Sequence, residues 1–236
     1  MADRYFVEPP IVGDRATLVD SEAHHLLHVM RAKPGLEVVL FDGLGAEFPA
    51  RVERLSRAAV ELAILDRQEI DRELPFHLTL GVALPKGDRQ KWLVEKLVEL
   101  GVTRLVPLAT ERGVAQPAAG SLARLRRGVI EASKQCGRNR LMQVAEPLSW
   151  SDFISSDDEM ATKLIAHPGA ESESLAAVEL HDAVSIAIGP EGGFTDQEVA
   201  LARTTGWRPV QLGPRILRVE TAAVAAAAAC ALRAGR

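Results

Sequence analysis

The spacing of apolar residues changes once along the chain, at Pro75, and that change constrains the fold more than any other feature. Before it, short β-like runs follow one another, separated by Gly, Pro and Asp: Ala16-Thr-Leu-Val, Glu37-Val-Val-Leu-Phe, Glu47-Phe-Pro-Ala-Arg-Val and Ala59-Val-Glu-Leu-Ala-Ile-Leu. Asp42-Gly-Leu-Gly between two of them is a hairpin signal. Helical spacing interrupts the pattern at Ser21–Arg31 and stops at Pro34-Gly35. Short strands with regular turns predict a small β-barrel. After Pro75, strands alternate with amphipathic helices. The spacing predicts strand Phe76–Leu84, helix Asp88–Leu100, strand Arg104–Ala109, helix Ser121–Gly137, and strands Lys163–Ala166 and Val184–Ile188. Helix Asp196–Thr205, strand Pro209–Leu212 and helix Val219–Arg233 complete it. Such alternation predicts an α/β fold with a mainly parallel sheet covered on both faces. The polar stretch Asp66–Pro75 reads as a linker, so the expected domains are residues 1–70 and 71–236.

Composition narrows the class. A chain of 236 residues, 47% hydrophobic, can bury a substantial core. No segment offers the ~20 uninterrupted apolar residues of a membrane span, and the N-terminal residues lack a signal-peptide pattern. Two cysteines, Cys136 and Cys230, are too few for a disulfide scaffold or a cysteine-based zinc site. A cytoplasmic globular protein, with no membrane and no metal, is expected. The net charge of −4 and the 4% aromatic content argue against nucleic acid when taken as whole-chain sums.

The charge is segregated, however. Ser121–Leu141 carries Arg124, Arg126, Arg127, Lys134, Arg138 and Arg140 against the single acid Glu131, whereas Asp152–Asp182 holds eight acids and only Lys163. Arg124, Arg127, Glu131, Lys134 and Arg138 follow helical spacing on one face. That face reads either as solvated surface or as a site for a polyanion, which the scarcity of acids and the Gln135-Cys-Gly-Arg-Asn-Arg140 end favour. His24, His25 and His28 include an i, i+4 pair with metal-ligand spacing, but a third ligand is missing and a polar helix face is the simpler reading. Basic neighbours favour a thiolate at Cys136, yet no partner base is identifiable.

In open α/β sheets, ligands bind beyond the carboxyl ends of the strands. Three segments leave such ends with unusual chemistry: Ala166-His167-Pro168-Gly169, Gly189-Pro190-Glu191-Gly192-Gly193-Phe194 and Leu212-Gly213-Pro214-Arg215-Ile216-Leu217-Arg218. Glycines in the second permit close backbone approach to a flat ligand, and Thr195-Asp-Gln-Glu198 starts the next helix with a capping box. The loop is neither a phosphate-binding P-loop nor a GxGxxG turn. A plain strand-to-helix turn explains one such loop; three at strand ends favour a binding site. For Glu220 and Thr221, which follow the third loop, a site role and a capping role are both open.

Taken together these segments resemble the RsmE family, the 16S ribosomal RNA uridine-N3 methyltransferases of the SPOUT superfamily. The resemblance rests on Leu84-Pro-Lys-Gly-Asp with Glu95-Lys96 and Glu99-Leu-Gly-Val102, on Glu131-Ala-Ser-Lys-Gln-Cys-Gly-Arg138, on Ile188-Gly-Pro-Glu-Gly-Gly-Phe194 and on Leu212-Gly-Pro-Arg-Ile-Leu-Arg-Val-Glu-Thr-Ala222. Arg4-Tyr-Phe, His25-Leu-Leu-His-Val-Met-Arg31 and Phe41-Asp-Gly43 resemble its N-terminal domain. The match spans nearly the whole chain in order. Cys136, where relatives often carry Ser, and Val219, often Thr, are departures; the first argues further against a thiol mechanism.

The resemblance implies an N-terminal PUA-like β-barrel, a C-terminal α/β domain with a trefoil knot, a homodimer, S-adenosylmethionine as methyl donor and a uridine in the decoding region of 16S ribosomal RNA, within the small ribosomal subunit, as acceptor. It implies a cofactor site at His167, Pro168, Gly189, Glu191, Gly192, Gly193, Leu212, Gly213, Ile216, Leu217, Arg218, Thr221 and Ala222. Gln135, Arg138 and Arg140 are expected at the flipped uridine, with Arg138 and Arg218 as the catalytic candidates and the general base unassigned. Further RNA contacts are expected from Arg4, His25, His28, Arg31, Arg124, Arg127 and Lys134. Two alternatives stand beside this reading. One is a related enzyme acting on a ribose 2′-OH or another base; the other is a non-catalytic RNA-binding assembly factor.

Overall fold

The computed structural model describes residues 3–113, 119–155, 161–169 and 171–233. They form two compact units. The first comprises residues up to Glu73 together with Ile130–Leu141, and the second comprises Leu74–Val129 and the residues from Met142 onward.

The first unit contains β1 (Arg4–Phe6), β2 (Arg15–Leu18), the short helix α1 (Asp20–His24), β3 (Glu37–Phe41), β4 (Ala46–Leu55), β5 (Val60–Ile64) and β6 (Gln68–Glu69). The sheet order is β1-β3-β4-β5-β2, with β6 on β4. β1 pairs parallel to β3, and the other pairs are antiparallel. In β2, Ala16 and Leu18 point inward while Arg15 and Thr17 are exposed, the alternation of a sheet with one face on a core. Tyr5, Leu18, Leu26, Leu40, Val52 and Leu62 fill that core. The helix expected over 21–31 is α-helical for only five residues. It then widens into a π-turn over His25–Val29, closed by the Met30 N–H on the His25 carbonyl, before Arg31 enters the left-handed region at φ 52°.

Residues 66–73 are not the free linker that their polarity predicts. β6 pairs with β4, and the Arg72 Nη1 donates to Glu47 and to the Gly137 carbonyl, each at 3.0 Å. The Asn139 Nδ2 donates to the Ile70 carbonyl. Glu47, buried, also accepts from Arg4 Nη1 at 2.7 Å, and Arg4 Nη2 donates to Asn139 Oδ1 at 2.5 Å. This charge cluster fastens residues 130–141 to the first unit, although the expected boundary assigns them to the second domain. Burial pushes the Glu47 carboxyl up, but hydrogen bonds from Arg4, Arg72 and Asn139 and the Arg4 charge outweigh it and hold the carboxyl below the ordinary glutamate value.

The second unit contains β7 (His77–Val82), α2 (Arg89–Glu99), β8 (Arg104–Ala109), α3 (Ala119–Cys136, whose last turns belong to the first unit), β9 (Gln143–Val144), β10 (Leu148–Ser149) and α4 (Trp150–Ile154). β11 (Thr162–Ala166), β12 (Glu173–Ser174), β13 (Ala183–Ile188), α5 (Asp196–Thr204), β14 (Arg208–Gln211) and α6 (Val219–Ala231) complete it. The sheet order is β10-β8-β7-β13-β11-β14-β12, with β9 on β8, and every pairing is parallel. Leu78, Leu80, Leu105, Leu164, Ile165 and Ile186 have no exposure, as a parallel sheet covered on both faces requires. Leu93, Val94, Leu97 and Val98 form the buried face of α2. α6 packs through Ala222, Ala223, Ala226, Ala227 and Cys230, whose small side chains let it lie close to α2, β7 and β13. Burial pushes the Cys230 thiol up to about 11 against the opposing Arg233 charge, which leaves it a packing residue. At Gly81 in β7, a Cβ would stand 2.4 Å from the Phe153 ring, so this core position has room only for glycine.

Because the folded Glu47 value is lowered, its stabilisation is complete above the unfolded value of about 4.3 and is lost as pH falls through the folded one. Glu47→Gln is expected to cost roughly 3 kcal/mol at pH 7, since it leaves two arginines without their shared carboxylate. In urea titrations the gap to wild type should hold from about pH 7 to 5 and shrink below about 4. A gap independent of pH would contradict the charge cluster.

Candidate ligand site

The neighbours β13, β11 and β14 end, in parallel, at Ile188, Ala166 and Gln211. The three loops singled out above therefore leave the sheet side by side. They rim a cavity of about 350 Å³. His167, Pro168, Gly189, Glu191, Gly192, Gly193, Leu212, Gly213, Ile216 and Leu217 line it, with Ala222 of α6 beneath. Two expected members do not. Arg218 is the exposed N-cap residue of α6, and Thr221 is exposed on its first turn.

The second loop is held tightly. A Cβ on Gly189 would meet the Phe194 ring at 2.9 Å, and Gly193, at φ 68°, donates its N–H to the Pro190 carbonyl. The capping box at Thr195 forms: the Glu198 carboxylate accepts the Thr195 N–H at 2.8 Å, and Thr195 Oγ1 accepts the Glu198 N–H. Buried Glu198 also accepts the Glu111 N–H at 2.9 Å, which fastens the turn after β8 to the loop after β13. Phe194 packs on Trp150 at 4.5 Å and so anchors the loop in the core. In the first loop, the His167 N–H donates to Val210 and the His167 carbonyl accepts from Ser172 Oγ, which ties the loop to β14 and to its own return.

Several lining residues stand outside the expected cofactor set: Phe194 and Arg215 within the loops already singled out, Asp196 in the capping box, and Arg112, Val210 and Gln211. Arg112 donates to the Gly192 carbonyl at 2.9 Å. Its signal was present, since Glu111-Arg112-Gly113 follows strand β8 as the other charged, glycine-bearing loops follow theirs.

The lining combines apolar walls, from Ile188, Val210, Leu212 and Leu217, with the carboxylates of Glu191 and Asp196 and the guanidiniums of Arg112 and Arg215. Ile216 lines the rim and is 90% exposed. A flat heterocycle with a charged amino-acid tail matches both halves of this lining, so the residues present fit the expected S-adenosylmethionine.

The expected RNA contacts divide into two sets. In the first unit, Arg4, His25, Lys134 and Gln135 line a separate cavity of about 480 Å³ with Asp3, Glu22 and Glu131. Lys134 is bound to Glu22 at 2.8 Å and to Glu131 at 3.4 Å, and the Arg4 side chain is only 7% exposed. Burial, with the Asp3 and Glu22 charges, pushes the Tyr5 hydroxyl up to about 12. Arg138 corrects the helix-face expectation. α3 ends at Cys136, and Gly137, at φ 80°, closes it with a Schellman turn in which the Gly137 and Arg138 N–H groups donate to the Ser133 carbonyl. Arg138 is therefore turned inward, 4% exposed, with Nε at 2.9 Å and Nη2 at 2.5 Å from Glu73. Arg138 and Arg4 are thus buried against Glu73 and Glu47, and Lys134 is half-buried against Glu22. His25, His28, Arg31, Arg124, Arg127, Gln135 and Arg140 are exposed. The His24 and His28 rings lie 4.7 Å apart, tilted by 50°, and no cluster of three metal-ligating side chains occurs among the described residues. Of the acidic stretch 152–182, residues 156–160 and 170 lie outside the described residues.

Residues 72–231 match the family model of the RNA methyltransferase domain, and residues 18–65 match that of the RNA methyltransferase PUA domain. A ribosomal RNA small subunit methyltransferase E from Synechocystis is 36% identical over 97% of this chain and 77% of its own. A putative methyltransferase from Legionella pneumophila, solved with bound S-adenosylmethionine, superposes with a TM-score of 0.91 at 32% identity, covering 99% of this chain and 98% of that one. A ribosomal RNA small subunit methyltransferase E from Neisseria gonorrhoeae, also bound to S-adenosylmethionine, gives 0.90 at 35% identity over 97% and 96%.

The double role of Glu198 is directly testable. Glu198→Ala removes two buried charge-assisted bonds and a cap, and is expected to cost about 2–4 kcal/mol in urea unfolding, with faster amide exchange at Glu111 and Thr195. Glu198→Gln keeps an acceptor oxygen and should lose less. Unchanged exchange at Glu111 in the alanine variant contradicts the assignment.

Proposed function

The chain belongs to the family of ribosomal RNA small subunit methyltransferases E, and from that membership we propose that it methylates N3 of a uridine in the decoding region of 16S ribosomal RNA, using S-adenosylmethionine. The observation that carries the cofactor assignment is the meeting of three strand-end loops around one amphiphilic cavity with the exposed Ile216 at its rim.

The bound cofactor supplies an electrophilic methyl group on a sulfonium. The chain's residues bind and orient it. The glycine loop at 189–193, with Leu212, Gly213, Ile216 and Leu217, would hold the cofactor's heterocycle, and Arg112 and Asp196 would meet its charged tail. Holding the acceptor nitrogen in line with the methyl group makes the step effectively unimolecular, which supplies ~7–11 kcal/mol. N3 lies on the pairing edge of uracil, so the base must be unpaired or extruded to react. Exposed Arg218, next to Leu217 in the chain, is our candidate for meeting the acceptor nucleotide from outside the pocket. Arg31, Arg124, Arg127 and Arg140, with His25, His28 and Gln135, are the candidate RNA contacts. They are exposed, and the four arginines form no ion pair among the described residues.

The remaining parts of the proposal rest on the family. The chain works as a homodimer in the cytoplasm, its α/β domain carries a trefoil knot, and the domains divide near residues 70 and 71. Its RNA partner is the 16S ribosomal RNA of the small subunit.

Unmodified small subunits incubated with labelled S-adenosylmethionine and this protein, then digested to nucleosides, should yield labelled 3-methyluridine. A labelled 2′-O-methyl nucleoside or another methylated base favours the related-enzyme alternative. No incorporation by a folded protein contradicts the proposal.

A further inference from the structure

A second, smaller cavity of about 280 Å³ lies at the carboxyl ends of β7 and β8 and shares Pro190 and Glu191 with the cofactor cavity. Its walls are apolar at Ala83, Leu84 and Leu108. Its cations are Lys86 and Arg89. Arg89 is already spoken for: its Nη1 stands 3.4 Å from Glu191 and 3.5 Å from buried Glu220. Lys86 forms no ion pair or hydrogen bond among the described residues.

The loop that carries Lys86 is built rather than loose. Gln90 Nε2 donates to the Pro85 carbonyl at 2.8 Å, and Gln90 Oε1 accepts from Ser121 Oγ at 3.3 Å. Gly87, at φ 67°, makes the turn, and its carbonyl accepts the Gln90 N–H. A narrow apolar slot with one unneutralised ammonium suits a flat ring that carries spread negative charge. The shared Pro190-Glu191 wall makes the occupants of the two cavities neighbours.

We propose that this second cavity receives the acceptor base and that Lys86 is a catalytic residue, its ammonium stabilising the uracil ring as N3 loses its proton. The inference rests on the function proposed above and extends it to a residue. The N3 proton leaves to water. The freed N3 electron pair then forms the N–CH3 bond while the S–CH3 bond breaks and its pair returns to sulfur, which becomes a neutral thioether. The negative charge shared by O2, N3 and O4 is largest just before that transfer, and a preorganised cation is worth most there. The charged groups that line the cavity with Lys86 are Arg89 of α2 and Glu191 of the loop after β13, and Arg89 is also bound to Glu220 of α6.

The test uses the full chain, unmodified small subunits and saturating S-adenosylmethionine in single-turnover reactions from about pH 6.5 to 9.5. Lys86→Met is expected to slow methylation about 10²-fold near neutrality, with cofactor affinity by calorimetry and subunit affinity by filter binding unchanged. The deficit should narrow as pH rises, because N3 then ionises without help, and Lys86→Arg should recover part of the rate. Three results overturn the inference. They are a wild-type rate in Lys86→Met, a deficit of equal size at every pH, and a loss lying wholly in salt-dependent subunit affinity, which marks a phosphate contact instead. A wild-type protein that makes no 3-methyluridine overturns the functional proposal itself; one that makes it beside an unimpaired Lys86→Met overturns this inference alone.

Discussion

The parallel pairing of β11 between β13 and β14 is the constraint on which the second unit depends. It sends three consecutive carboxyl ends in one direction. The buried positions of β11 and β13 are Leu, Ile, Val and Ala apart from Thr162, so the ionisable chemistry is displaced into the loops that leave the strands. Cavity, glycines and charged rim follow from that displacement. The alanines of α6 serve the same end, because a helix of small side chains lies close beneath the loops without filling the space between them.

In the first unit the organising interaction is electrostatic. Glu47 gathers Arg4 and Arg72, Asn139 joins them, and Glu73 holds Arg138. Buried ion pairs of this kind add little net stability but are costly to break. Their effect here is to fix residues 130–141 against a sheet that lies far away in sequence. The basic segment is thus divided: Arg138 is drawn into the cluster, Lys134 and Arg126 are paired with Glu22 and Glu146, and Arg124, Arg127 and Arg140 stay exposed.

The core strands and long helices were legible because burial leaves a period. Arg104–Ala109 and Glu37–Phe41 begin and end where their apolar runs do. The two-residue strands β9, β10 and β12, and the helix Trp150–Ile154, are too short to show one. The segment 66–73 misled because its polar residues look like a linker, when Arg72 and Glu73 are answered by partners remote in the chain and Asp66, Arg67, Glu69 and Asp71 by local ones. Arg138 misled for a local reason, since helical spacing was extended one residue past the left-handed Gly137. Most of the ligand site was legible, because glycine and charge after an apolar strand mark an exit from a sheet. The cavity at Lys86 and Arg89 was not, since Lys86 stood only as part of a segment carrying the resemblance and Arg89 as an ordinary helix start until the structure brought them to one cavity.

The central claim is that the three loops after β11, β13 and β14 together hold S-adenosylmethionine. Amide hydrogen exchange with and without the cofactor, paired with calorimetry, tests it most directly. The account predicts one site per chain, with protection concentrated at residues 167–169, 189–195 and 212–218. No binding at millimolar cofactor, or protection confined to the first unit, would contradict it.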